Sequence, residues 1–318
     1  RPWSLKKMPD RTILVAFSRR KVLALKAQLE NENRTISVVY GSLPPEVRRK
    51  QADRFANGET QICIATDAVG MGLNLPADHV CFHETKKYDG RTVRNLTPTE
   101  IHQIGGRAGR YGMSEGGTIG ATTRKDLNLV RILHKQEPAT LTHAHVAPTV
   151  EDLAMIPGSL GEKLREWAQL QSIPEELRHL VATANLKERI NLAEMLTDEE
   201  VETLGLDRAV QLTNAPTRRS SRDYWYACAQ SIIEGEPMPV PDIPPTEIFT
   251  ASDLDYTETC INKADVYLWL SNRQEFEGLG PDAAYIKEER ASASLRIDEA
   301  LLKALAPEYY SEREFWQS

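Results

Sequence analysis

The chain has 318 residues, 41% of them hydrophobic and 27% charged, enough apolar side chain for packed cores and more length than one domain usually takes. Its longest apolar runs, Thr12 to Phe17 and Ile62 to Ala65, fall far short of the roughly 20 residues that cross a bilayer, and its start, RPWSLKKMPD, has neither an initiator Met nor an apolar signal core. A soluble chain with no membrane partner and no secretion signal is the expectation. The net charge of −7 hides a division: residues 1–135 hold 23 Lys+Arg against 13 Asp+Glu, net +10, and residues 136–318 hold 16 against 33, net −17. A basic half joined to an acidic half marks a polyanion-facing domain beside one that does something else.

In chain order, residues 1–10 read as an interdomain linker, so that the native protein is expected to begin further upstream. Thr12 to Phe17 (TILVAF) predicts a strand, after which Ser18 caps a helix through Lys21, Leu25 and Leu29. Ile36 to Tyr40 predicts a second strand, followed by a turn at Gly41 and a helix that Pro44 and Pro45 open and Gly58 closes. Gln61 to Thr66, Val80 to His83 and Thr118 to Thr122 predict further strands. Strands joined by helical crossovers imply a largely parallel sheet with helices on both faces and ligands at the carboxyl ends of its strands.

From about Pro148 the strand pattern stops. Helical spacing takes over in Leu153 to Leu170, Leu177 to Leu196, Tyr224 to Ile233 and Ile261 to Leu270, interrupted by an extended strap, Glu236 to Pro245 (EPMPVPDIPP). The fold class is therefore an α/β domain over 11–135 followed by a mainly α-helical region over 136–318. Cys63, Cys81, Cys228 and Cys260 lack metal-ligand spacing and read as reduced thiols, and His143 and His145 read as a solvated loop, so no metal site is expected.

The most informative segment is Gln103 to Arg110, QIGGRAGR. Thr97, followed by Pro98 and then by Glu100, is a capping box that starts a helix there. Continued through the segment, that helix places Gln103, Arg107 and Arg110 at i, i+4 and i+7 on one face. Gly105, Gly106 and Gly109 would each cost it about 1 kcal/mol against Ala, which implies a close approach to another surface. Arginines able to hold a phosphoryl group, beside such a surface, suit phosphoryl transfer. Thr66 to Leu75, TDAVGMGLNL, offers a hydroxyl at a strand end and then the amides of Gly70 and Gly72 to phosphate oxygens. Tyr40 to Pro45, YGSLPP, similarly puts Gly41 and Ser42 at a strand end.

These three segments, in this order and spacing, resemble motifs IVa, V and VI of superfamily-two helicases, with a RecA-like motor domain over 11–135. The subfamily that the chain resembles most is the Suv-three RNA helicases of the mitochondrial degradosome and their bacterial relatives. Leu212 to Arg218 (LTNAPTR) and Ala264 to Ser271 (ADVYLWLS) extend the likeness downstream. The resemblance implies that Gln103, Arg107 and Arg110 meet the phosphates of ATP bound on a first RecA-like motor half, with Gly72 and Asn74 near its ribose. Asn74 stands where DEAD-box relatives carry Asp. It also implies that Ser18, Gly41, Ser42 and Thr66 touch the nucleic-acid backbone, a contact that reads no sequence.

Thr85 to Leu96 (TKKYDGRTVRNL) predicts a hairpin turning at Asp89-Gly90, made basic by Lys86, Lys87, Arg91 and Arg94. Related helicases use a hairpin here to part the duplex. No GxxxxGK[ST] loop and no DExH-type acid for Mg²⁺ occurs in the sequence, so ATP and Mg²⁺ are expected to be held mainly by the first motor half. The resulting expectation is the second motor half and helical region of an ATP-dependent 3′–5′ RNA helicase, with single-stranded or tailed RNA as substrate. An exoribonuclease partner and a bacterial cytoplasmic or mitochondrial matrix setting go with it. The alternatives are a DNA helicase of similar build and a non-catalytic nucleic-acid-binding or nuclease-docking module.

Overall fold

A computed structural model of the chain describes residues 1–67, 75–89, 92–109, 116–138, 143–169, 174–177 and 179–303. The packing divides into two compact units, and the first is not confined to the N-terminal half. It takes in Arg1–Ala139, Thr246–Glu258 and the chain from Ser294 on; the second comprises Thr140–Pro245 and Thr259–Ala293.

The first unit is built on a five-stranded sheet of β1 (Thr12–Val15), β2 (Ile36–Val39), β3 (Ile62–Ala65), β4 (His79–Phe82) and β7 (Thr118–Ala121) in the order β2-β3-β1-β4-β7. Every pairing is parallel. β1, β2 and β3 are buried at every position, as the predominantly apolar runs TILV, ISVV and ICIA suit in strands covered on both faces. Ser18 accepts a hydrogen bond from the Lys21 N–H and caps α1 (Arg19–Glu30), and Pro44 precedes α2 (Pro45–Ala56). The crossovers through α1 and α2 run in opposite directions along the sheet, so their right-handedness places these helices on opposite faces.

A short antiparallel hairpin, β5 (Lys86–Tyr88) with β6 (Val93–Asn95), follows β4. Its pairing continues to Asp89, whose N–H donates to the Thr92 carbonyl at 3.1 Å; residues 90 and 91 lie outside the described residues. α3 (Pro98–Gly105) and α4 (Arg124–His134) pack with α2 over one face, burying Ile101, Ile104, Leu127, Val130, Ala52 and Phe55 against Ile13, Val15, Val80 and Phe82. Residues 1–10 also lie on this unit. The Trp3 N–H donates to the Ala121 carbonyl at 2.9 Å, and the Trp3 ring lies so close to Gly120 that a Cβ there would stand 3.0 Å from it.

The second unit is not wholly helical. β8 (Ala144–Val146) pairs in parallel with β9 (Val181–Thr183), a correction to the reading that strands end near Pro148. Three-residue strands of mixed exposure give too short an alternation to register against helical spacing. Leu153 to Leu170 is likewise not one helix. α5 (Val150–Ala154) and α6 (Leu160–Ala168) are separated at Gly158, whose φ of 97° breaks helical geometry. α7 (Lys187–Ala193), α8 (Asp198–Leu204), α9 (Leu206–Thr213) and α10 (Arg222–Glu234) follow, with the fully buried Trp225 donating from its indole to the Leu212 carbonyl at 3.0 Å. Glu236 to Pro245 forms neither helix nor strand; Tyr224 donates its hydroxyl to the Pro239 carbonyl, and Met238 is buried. α11 (Ala251–Ser271) begins in the first unit, and α12 (Ala283–Leu302) ends in it. Among the described residues no helix is long and apolar enough to cross a membrane.

Candidate functional site

Because the sheet is parallel, one of its ends gathers the carboxyl termini of all five strands. Ser18 lies just beyond β1, Gly41 and Ser42 just beyond β2, and Thr66 just beyond β3. Ser18 and Gly41 are exposed, Ser42 is half-buried and Thr66 is buried. The Ser18 hydroxyl oxygen is engaged in capping α1, and the Thr66 N–H donates to the Val39 carbonyl at 2.9 Å.

A residue with no local signal in the sequence stands at the same place. Glu258 of α11 is 3% exposed, and its Oε1 accepts the Tyr40 hydroxyl at 2.9 Å and the Arg19 Nε at 3.2 Å. It also hydrogen-bonds Ser42, and Arg19 reaches on to Asp255 and to the Ala251 carbonyl. Burial raises the Glu258 carboxyl above its ordinary range, against the pull of Arg19, Ser42 and Tyr40. Burial likewise lifts the Tyr40 phenol well above its usual value. The side chains presented at the end of β2 are thus organised by a carboxylate more than two hundred positions downstream.

The hairpin is neutralised within the protein to a degree that its composition conceals. Lys86 is exposed and makes no ion pair among the described residues. Lys87, on the opposite face of the same strand, lies 2.7 Å from Asp67 Oδ2 and 2.9 Å from Glu100 Oε1. Arg94 clamps Glu100 with both terminal nitrogens, at 2.9 and 3.0 Å, and donates from Nε to Asp89. Glu100 also closes the capping box of α3, accepting the Thr97 N–H at 2.8 Å. Partial burial opposes its ionisation, but the donors of Arg94, Thr97 and Lys87 outweigh that and hold the carboxyl at about 2.

α3 ends earlier than QIGGRAGR suggests. Its last helical residue is Gly105, Gly106 is the C-cap and Arg107 lies in the following turn, so Gln103 and Arg107 do not share a helix face. The glycines serve the chain's own packing. A Cβ on Gly105 would stand 2.8 Å from the Ile119 side chain; Gly109 has φ 81° and lies against Gly117; its N–H donates to Ala77 at 2.8 Å, beside the Ala77–Ala108 bridge. Gly105 and Gly109 therefore do mark a close approach, as the sequence implies, to Ile119 of β7 and to Gly117 just before it, whereas a Cβ on Gly106 would meet only the His102 carbonyl of α3 itself.

α3 accordingly runs back along the sheet. Its first turn meets Asp67, through Lys87, at the carboxyl end of β3, and the turn after it meets Ala77 and Gly117 at the amino ends of β4 and β7. Gln103 is exposed and Arg107 half-buried there. The expected positions Gly72, Asn74, Arg91 and Arg110 lie outside the described residues. Glu258, Asp67 and Glu100 were not singled out from the sequence as site residues; of these only Glu100 had a signal, its place in the capping box.

Comparison with known proteins places these features in a family context. Residues 4–112 match the helicase conserved C-terminal domain. The chain is 32% identical over 284 residues to the mitochondrial ATP-dependent RNA helicase SUV3 of Saccharomyces cerevisiae, covering 82% of this chain and 38% of that protein. It is 30% identical over 310 residues to the mitochondrial DExH-box ATP-dependent RNA helicase DExH16 of Arabidopsis thaliana, covering 91% of this chain and 52% of that one. Among solved structures it is similar to the C-terminal domain of the DEAD-box protein Dbp5, at a TM-score of 0.34 and 19% identity over 41% of this chain and 73% of the other. The chain spans 38% and 52% of the length of these two curated relatives.

Proposed function

We propose that this chain, a C-terminal portion of a superfamily-two helicase, works as the second motor half and helical region of an ATP-dependent 3′–5′ RNA helicase engaged in RNA unwinding and decay. The observation that carries the reading is the turn after α3, where Arg107 follows Gly105 and Gly106 and is fixed from behind by the Ala77–Ala108 bridge. An arginine on a backbone fixed on both sides is placed to meet the charge that develops on a transferring phosphoryl group. In this reading Arg107, Arg110 and Gln103 face the phosphates of ATP, Gly72 and Asn74 lie near its ribose, and a first RecA-like half supplies the phosphate loop and the acid for Mg²⁺. The strand-end residues Ser18, Gly41, Ser42 and Thr66, with Lys86 on the hairpin, follow the RNA backbone. RNA is favoured over DNA because the relatives are RNA helicases by name. Their mitochondrial names support the same setting here, and an exoribonuclease is the partner that a role in decay calls for.

The test has two parts. The chain by itself should show no RNA-stimulated ATP hydrolysis, and turnover above a contaminant control would refute the division of labour. In the complete two-motor enzyme, Arg107→Ala should lower turnover on the order of 10³-fold, as loss of an arginine finger does, with RNA affinity in the absence of nucleotide unchanged. Near-normal turnover would return Arg107 to a structural role.

A further inference from the structure

The hairpin, the segment after β3 and the first turn of α3 meet at one ammonium group. Lys87 Nζ lies 2.7 Å from Asp67 and 2.9 Å from Glu100, and its side chain is 16% exposed. Strand alternation separates it from Lys86, which points the other way into solvent. With two of its three donors directed at carboxylates, Lys87 can meet a phosphate only by giving up partners that it already holds. Glu100 is equally committed: Oε1 receives Lys87 and one Arg94 nitrogen, and Oε2 receives the other Arg94 nitrogen and the Thr97 N–H.

We propose that Lys87 is a positioning residue that couples the nucleic-acid side of this motor unit to its nucleotide side, by pinning the base of α3, and through it Arg107, to the segment that leaves β3. The proposal rests on the functional reading above. α3 is a rigid rod of two turns with Glu100 in its first turn and Arg107 two residues past its end. Its far end is held by the Ala77–Ala108 bridge, so the Lys87 node is the polar restraint on its near end. Asp67 directly precedes residues 68–74, which by resemblance hold the nucleotide-facing glycines. Arg94 is a second tie between the hairpin and Glu100, but among the described residues Lys87 is the hairpin side chain that holds Asp67 and Glu100 together, so force on the hairpin from an RNA strand reaches the end of β3 and the base of α3 at once. The apolar anchors Ile101 and Ile104 keep α3 on the sheet when the node is cut, so its loss should misplace Arg107 without unfolding the unit.

The experiment is done on the complete two-motor enzyme with single-stranded RNA and ATP. Lys87→Met should lower turnover at saturating RNA tenfold or more, leave the RNA concentration for half-maximal stimulation within about twofold, and leave the melting temperature within a few degrees. Lys87→Arg should restore most of the turnover, since a guanidinium spans two carboxylates as an ammonium does. Lys86→Ala serves as the contrast: it should weaken RNA binding and reduce the slope of log affinity against log salt by about 0.7, the loss of one phosphate contact on a single strand. If Lys87→Met produced that same change in slope with turnover intact, Lys87 would be a phosphate contact and the proposal would fall. A fall in turnover that tracks a large fall in melting temperature, without rescue by Arg, would make the node a fold support and overturn it as well. No RNA-dependent turnover in the unsubstituted enzyme would instead bring down the functional reading, and the coupling with it.

Discussion

Asp298 of α12 accepts both terminal nitrogens of Arg54 of α2, at 2.7 and 2.8 Å, across 244 positions of sequence. The same carboxylate accepts the Gln51 amide at 3.1 Å, and Gln51 in turn accepts the Val38 N–H of β2 at 3.1 Å. Nearby, Lys26 is 2% exposed and divides its ammonium between Glu30 and the Lys303 carbonyl. The acidic half thus returns to the basic half, supplying a carboxylate for the half-buried Arg54 and a backbone carbonyl for the buried Lys26. A net +10 and a net −17 along the sequence do not describe two electrostatically separate bodies.

Removal of Asp298 should therefore cost far more than a surface ion pair. Asp298 is 4% exposed, and truncating it leaves the buried Gln51 amide and the half-buried Arg54 without their acceptor. Asp298→Ala is expected to lose about 3–5 kcal/mol, the range for breaking one side of a buried pair. A chain stopped at Lys135, which the charge pattern alone recommends as the RNA-binding piece, loses Asp298 and Glu258 together and should not unfold cooperatively. Urea titration followed by circular dichroism reads both, and an Asp298→Ala midpoint matching the parent's would remove the argument.

What the sequence discloses here depends on the range of the interaction. The strands of the sheet, the caps at Ser18 and Thr97 and the hairpin are local, each signalled within a few residues by apolar runs or a capping box, and they lie where the sequence puts them. The end of α3 is not local in this sense, because closely spaced glycines suit both a helix against another surface and a turn packed within the same chain, and only packing decides. The short β8 and β9 carry no period long enough to see. Glu258 and Asp298 were illegible for a different reason. A buried carboxylate on a helix reads as one more charge in an acidic region until the fold brings Arg19 or Arg54 to it.

Two adjacent glycines separate close approach from mere composition. A Cβ on Gly117 would collide with the Ala108 carbonyl carbon and oxygen, all backbone, whereas one on Gly116 would meet nothing within 4 Å among the described residues. Gly117→Ala should push the turn that carries Arg107 off β7, lowering stability by about 1–3 kcal/mol, the usual cost of overpacking, and lowering turnover of the complete enzyme with it. Gly116→Ala should stay within about 0.5 kcal/mol of the parent. Equal effects at the two positions, measured by thermal melting, would mean that the turn does not pack as described.

Two carboxylates of the motor unit should respond to acid in opposite directions. Glu100 is held at about 2, below its ordinary 4.5, so the folded state binds fewer protons than the unfolded state between those values. Its contribution is complete above pH 4.5 and is lost as pH falls towards 2. Allowing for solvent screening of a partly exposed group, that contribution is about 1–2 kcal/mol. Glu258 is raised above 4.5 by burial, so the folded state binds more protons there, and its contribution is complete below pH 4.5 and lost as pH rises through the raised value. Urea stability measured from pH 3 to pH 7 on the parent, Glu100→Gln and Glu258→Gln should show this directly. The parent's advantage over Glu100→Gln should shrink as pH falls from 5 to 3. Its standing against Glu258→Gln should improve as pH falls from 7 towards 4.5, because the Gln variant lacks the proton uptake that favours the native state. Two differences that stay flat across the range, or that slope the same way, would mean that Arg94 and Lys87 do not stabilise the Glu100 anion, or that Glu258 is not buried between Tyr40 and Arg19.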